Sequence, residues 1–124
     1  MHQFDLKNRT AIITGGAQGF GLDIARKFLN SGANVIVWDI DEKELQNAVK
    51  KINNPKLAYN IIDVSNFEKV NNTVIEINKS SNIDILINNA GITGPTAELW
   101  NYSIKDWNKV VEINLNGTFN CCKS

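Results

Sequence analysis

The sequence predicts an α/β fold, a doubly wound parallel sheet, from three observations. Short β-branched apolar runs alternate four times with stretches of helical periodicity. The runs are apolar throughout instead of alternating with polar residues, as expected of strands covered on both faces. Breaks rich in Gly, Asn, Ser or Pro separate the segments. Right-handed crossovers then close such a βαβαβαβα chain into one sheet with helices on both sides. Residues 1–124 show no repeat and no linker, and read as a single domain.

The elements follow in order. "TAIIT" (Thr10–Thr14) is the first strand. Leu22, Ile24, Ala25, Phe28 and Leu29 give a helix from Phe20 to Leu29, stopped at "SGA" by Gly32. "NVIVWD" (Asn34–Asp39) is the second strand. Asp41, with Glu44 three residues on, starts a helix whose stripe is Leu45, Ala48, Val49 and Ile52. "NNP" breaks it. "KLAYNIID" (Lys56–Asp63) is the third strand. Ser65 or Asn66 starts a helix with the stripe Phe67, Val70, Val74 and Ile77. "IDILIN" (Ile83–Asn88) is the fourth strand. "AGITGPTAEL" reads as loop. Ser103 and Asp106 resemble a capping box for a last helix from about Ile104 to the end. That helix is apolar on more than one face, which predicts burial on both sides. Trp100 and Trp107 read as packing residues.

Composition narrows the function. Lys+Arg and Asp+Glu stand at 13 each, so no basic excess points to nucleic acid or an anionic membrane. No apolar run reaches membrane-spanning length, and the amino terminus "MHQFDLKNRT" has no signal-like apolar core. The two cysteines, Cys121 and Cys122, are adjacent, which is neither a disulfide framework nor a metal spacing. The expectation is a soluble cytoplasmic protein with no metal.

"TGGAQGFG" (Thr14–Gly21) holds four glycines in eight residues, between a strand and a helix. A dinucleotide pyrophosphate is bound by helix N-terminal amides and the positive end of the helix dipole. Gly15 permits a tight turn, Gly19 lets phosphate approach the backbone, and Gly21 lets the helix pack closely on the sheet. The alternative is a plain βα turn. Asp39 ends the second strand. An acid there accepts hydrogen bonds from a ribose diol and repels a 2′-phosphate; its alternative role is to cap the next helix with Asp41. Ala17 and Gln18 bring no cation to the loop, and Ile40 follows Asp39, so NAD is favoured over NADP.

The spacing T-G-x-x-x-G-x-G, with "IDVS" at Ile62–Ser65, "NNAG" at Asn88–Gly91 and "INLNGTF" at Ile113–Phe119, resembles the short-chain dehydrogenase/reductase superfamily. The resemblance runs from about Leu6 to Ser124. It implies a Rossmann-type sheet of about four strands in the order 3-2-1-4. It implies that Thr14, Gly15, Gln18, Gly19, Phe20 and Gly21 form the cofactor loop, with Phe20 giving a backbone contact to phosphate. Asp63 would bind the adenine amino group and Val64 flank the ring. Asn88, Ala90 and Gly91 would support the central strand and line the nicotinamide-ribose side. Asn114 would hold a water of the family's proton relay. The residues alone leave alternatives: an N-cap role for Asp63, and a structural hydrogen bond for Asn114, whose amide needs a partner among apolar neighbours.

The family's chemistry is hydride transfer between nicotinamide and an alcohol or carbonyl. A Tyr acts as acid/base, a Lys four residues later lowers its pKa, and an upstream Ser polarises the substrate. Tyr59 is followed four places on by Asp63; Tyr102 is followed by Lys105 at three places and precedes Asn114, where the family places its Tyr well after, so neither fits. The expectation is an amino-terminal cofactor-binding half whose Ser and Tyr-x-x-x-Lys lie beyond Ser124, inactive by itself, with an exposed apolar edge at "IDILIN". The alternatives are a non-catalytic dinucleotide-binding module and a non-functional truncated product. The stretch from Gly91 to Phe119 most resembles 3-oxoacyl-carrier-protein reductases and sugar or polyol dehydrogenases. Family members are commonly homo-oligomers.

Overall fold

The computed structural model describes residues 4–124; the first three residues of the amino-terminal segment read for a signal lie outside it. The strands are β1 (Thr10–Thr14), β2 (Asn34–Asp39), β3 (Leu57–Ile61) and β4 (Ile85–Ile87). They form one parallel sheet in the order β3-β2-β1-β4. β1 is buried at all five positions, as its central place requires. Its register sets Ile12 beside Ile36 and Ile13 beside Val37.

Strand alternation sends these residues into two separate cores. Ile13, Val35 and Val37 meet Ala25, Leu29 and Leu45 of α1 (Gly19–Asn30) and α2 (Glu42–Ile52) on one face. Ile12 and Trp38 meet Val70 and Val74 of α3 (Phe67–Asn78) and Cys121 on the other. Helices on both faces make the sheet doubly wound.

Local signals explain the helix ends. Gly32, at φ +94°, follows the last turn of α1. The Asp41 carboxylate accepts from the Glu44 amide and starts α2, which ends at Asn53 in the left-handed region (φ +48°). Asn66, not Ser65, caps α3 by accepting from the Lys69 amide. Ser103 caps α4 (Ile104–Val111) through the Asp106 amide.

Five expectations are corrected. β3 spans five residues, Leu57–Ile61, shorter than the expected run. β4 begins at Ile85 instead of Ile83 because the Asp84 carboxylate takes the Thr10 amide (2.8 Å), the donor a ladder carbonyl would otherwise accept. Phe67 lies in the first turn of α3 and is 39% exposed, so the buried stripe is Val70 and Val74. The last helix is not continuous: α4 leads into a π-helical segment, Glu112–Asn116, and then α5 (Gly117–Lys123). There the Gly117 amide donates to the Glu112 carbonyl, five residues back. Trp100 and Trp107 are mostly exposed; Trp107 packs edge-on against Tyr102, centroids 6.4 Å apart.

Candidate functional site

All four strands point their carboxyl ends to one edge of the sheet, and the candidate residues gather there. Thr14, at the end of β1, is 1% exposed. Its hydroxyl accepts from the Asn89 amide (3.1 Å) and the Ala90 amide (3.0 Å), and donates to the Ile87 carbonyl (3.4 Å). One side chain thus fastens the start of the glycine loop to the end of β4.

Asn89 completes this clasp, its carboxamide donating to the Gly15 carbonyl at 3.0 Å. Gly15 has φ +62°, and an added Cβ would lie 2.9 Å from the Ala90 Cα. A Cβ on Gly21 would lie 2.3 Å from the Gly15 carbonyl oxygen and 2.6 Å from the Asn89 amide nitrogen. The close approach at Gly21 is therefore to the loop and Asn89. Gly19 differs: φ is +58°, and an added Cβ would meet nothing within 4 Å. Gln18, Gly19 and Phe20 are exposed, and Gln18 gives the helix no side-chain cap. The first-turn amides of α1 have no intrahelical acceptor, so the loop presents donors to open space.

Asp39 faces this loop. One carboxylate oxygen accepts from the Ala17 amide (3.3 Å) and the other from the Asp41 amide (3.2 Å). Asp39 thus braces the loop and orients Asp41, whose own side chain is the α2 cap. A carboxylate has about four acceptor sites, so these two bonds leave capacity for a ligand. Ile40, beside it, is 68% exposed. After β3, one Asp63 oxygen accepts from the Ser65 amide (2.9 Å) and hydroxyl (2.6 Å). Val64 is buried.

Beyond β4, Asn88 is exposed and donates to the Cys122 sulfur at 3.3 Å. Ala90 is held by Thr14. Gly91 abuts Asn114: an added Cβ would lie 3.2 Å from its side-chain oxygen. That oxygen accepts from the Ile92 amide, and the Asn114 amide donates to the Ile92 carbonyl, both at 2.8 Å. The structural hydrogen bond at Asn114 is thus present, and it ties the π segment to the loop after β4.

Sequence reasoning passed over two residues. Asn89 was legible only as one of two asparagines needing partners at a strand end. Asn120 carried no signal: it is buried, and its amide donates to the Val64 carbonyl at 2.9 Å. Among the described residues no group of three or more His, Cys, Asp or Glu side chains could hold a metal, and no helix is long and apolar enough to cross a membrane.

Comparison with known proteins shows the family and the fold. The chain is 34% identical over 123 residues to the 3-oxoacyl-[acyl-carrier-protein] reductase FabG of Chlamydia muridarum, covering 96% of this chain and 49% of that protein. It is 34% identical over 117 residues to the NAD(+)-dependent 2-dehydro-3-deoxy-L-rhamnonate dehydrogenase of a Sphingomonas species, covering 91% and 45%. Among solved structures, the Pseudomonas aeruginosa RhlG/NADP complex superposes with a TM-score of 0.87 at 29% identity, covering 99% of this chain and 49% of that one. The chain spans about half the length of the curated relatives it matches. The short chain dehydrogenase family model matches residues 9–124. With a four-strand parallel Rossmann-type sheet in the order 3-2-1-4 and this strand-end cluster, the chain belongs to the short-chain dehydrogenase family.

Proposed function

We propose that this chain carries the cofactor-binding part of an NAD(H)-dependent oxidoreductase that interconverts an alcohol and a carbonyl. The observation that carries the reading is the open glycine loop at the start of α1, held from behind by Thr14 and Asn89. Its positive-φ Gly19 faces empty space, which suits an approaching pyrophosphate. Gln18, Gly19 and Phe20 face the pyrophosphate, and Thr14, Gly15 and Gly21 shape the loop behind them. Asp39 takes the adenosine ribose, with Ile40 beside it, and Asp63 and Val64 take the adenine. Asn88, Ala90 and Gly91 border the nicotinamide ribose, and Asn114 orders the segment next to it. When bound, the nicotinamide supplies hydride chemistry.

NAD is the cofactor in this reading because the Asp39 charge accepts a 2′-hydroxyl and repels a 2′-phosphate. Calorimetric titration of the chain with NAD and NADP tests it. NAD binds tighter, and Asp39→Ala weakens NAD more than NADP. Equal loss for both cofactors would overturn the ribose assignment.

The substrate belongs to the 3-oxoacyl-carrier-protein or sugar and polyol class, in keeping with the activities of the two relatives. The protein is a cytoplasmic homo-oligomer in this reading. Both cysteines are free, and Leu99, Trp100, Ile104, Trp107, Leu115 and Phe119 are each more than half exposed around α4 and α5. Sedimentation at rising concentration checks the assembly; a monomer at every concentration refutes it.

A further inference from the structure

We propose that helix α5 positions the Asp63–Val64 loop, with Asn120 as the residue that sets how Asp63 meets the adenine. The inference rests on the nucleotide reading above and deepens it. Asn120 is 7% exposed, and its carboxamide donates to the Val64 carbonyl at 2.9 Å across 56 residues of sequence. Gly117, one turn earlier, lies so close that an added Cβ would be 2.5 Å from the Val64 Cγ2. Val64 is thus held twice by one helix: its carbonyl by Asn120, its side chain by the bare backbone of Gly117.

The peptide held in this way, Val64–Ser65, also carries the Ser65 amide that bonds Asp63. Ser65 donates from both its amide and its hydroxyl to a single Asp63 oxygen, which fixes the carboxylate and leaves the other oxygen for a ligand. Asp63 has no direct bond to α5, so α5 reaches the carboxylate only through the Val64 backbone. A shift of that backbone moves the free oxygen relative to the 6-amino group of adenine. The glycine loop is fastened separately, through Thr14 and Asn89. Loss of the Asn120 bond therefore affects adenine recognition and spares pyrophosphate binding.

Nicotinamide hypoxanthine dinucleotide replaces the 6-amino donor by an oxo acceptor, with N1 becoming N–H, and is otherwise NAD. Hydrogen bonds to a charged acceptor are strong, so the native 124-residue chain is expected to bind NAD about tenfold tighter than this analogue. In Asn120→Leu the ratio falls toward one, as it does in Asp63→Asn, while analogue affinity changes less than threefold. Gly117→Ala pushes on the Val64 side chain from the same helix and lowers the same ratio; it gives a second reading where the leucine variant does not fold. Equal weakening of both dinucleotides, or an unchanged ratio, overturns the inference. Absence of NAD binding by the native chain overturns the nucleotide reading beneath it, a result distinguishable from the first two.

Discussion

Gly19 and Gly21 stand two residues apart, yet a methyl group on each meets opposite surroundings. On Gly21 it would lie 2.3 Å from the Gly15 carbonyl oxygen, and the backbone there is fixed by Asn89. Overpacking of this kind costs about 1–3 kcal/mol or more. On Gly19 the methyl meets nothing within 4 Å, but φ is +58°, a strain of roughly 1–2 kcal/mol for an L-residue. It would also project where the pyrophosphate is proposed to sit. Gly21→Ala is therefore expected to lower the urea midpoint more than Gly19→Ala. Gly19→Ala is expected to keep the fold and lose at least about tenfold in NAD affinity, roughly 1.4 kcal/mol. Equal stability losses, or unchanged NAD affinity in Gly19→Ala, would contradict the site. The spacing of these glycines was readable because each lacks a side chain for a local reason. Asn89 was harder: Asn88 and Asn89 are equivalent in composition, and only the turn after β4 decides that Asn89 faces Gly15 while Asn88 faces Cys122.

Helix α5 shows at the scale of an element how one face docks. Cys121 is buried against the sheet and Cys122 is exposed. Burial pushes the Cys121 thiol up from 9.0 to about 11, with the adjacent Cys122 adding to the rise. The folded state thus holds this proton where the unfolded chain has released it. The stability it contributes is fully present below pH 9 and is lost as pH rises from 9 through about 11. Denaturation midpoints should fall across that window in the native chain and fall less steeply in Cys121→Ala. At pH 8 a thiol reagent should label Cys122 well before Cys121, read by peptide mass spectrometry. Equal labelling would mean that α5 is not docked.

The elements themselves were largely legible, because parallel strands buried on both faces leave continuous apolar runs and the caps at Asp41 and Ser103 are local. The π segment at Glu112–Asn116 was not. A helix apolar on several faces has no single stripe whose slip would betray an extra residue in one turn. The early start expected for β4 failed because the Asp84 side chain takes the Thr10 amide, leaving only the bond from the Asp84 amide to the Thr10 carbonyl there.

For the whole molecule, the strand-end edge proposed to seat the cofactor is separable from the chemistry that would use it. The edge draws on all four strands: Thr14 at the end of β1, Asp39 at the end of β2, Asp63 beyond β3 and Asn89 beyond β4. Each is braced by bonds within residues 4–124. Proton transfer in this chemistry asks for something else. A phenol near pKa 10 serves at neutral pH only when nearby positive charge lowers it. Tyr59 lies on β3 with its side chain against the α1–α2 core, away from the strand ends. Tyr102 caps the short 3₁₀ turn Leu99–Asn101 and packs against Trp107. Neither phenol has a lysine four residues on. The 124-residue chain is therefore expected to bind NAD in calorimetry and to show no NAD reduction with 3-hydroxyacyl thioesters, sugars or polyols, followed at the nicotinamide absorbance. Turnover with any of these would require an acid/base group that this arrangement does not identify. Binding without turnover would locate the cofactor seat within residues 1–124 and separate it from the proton-transfer machinery.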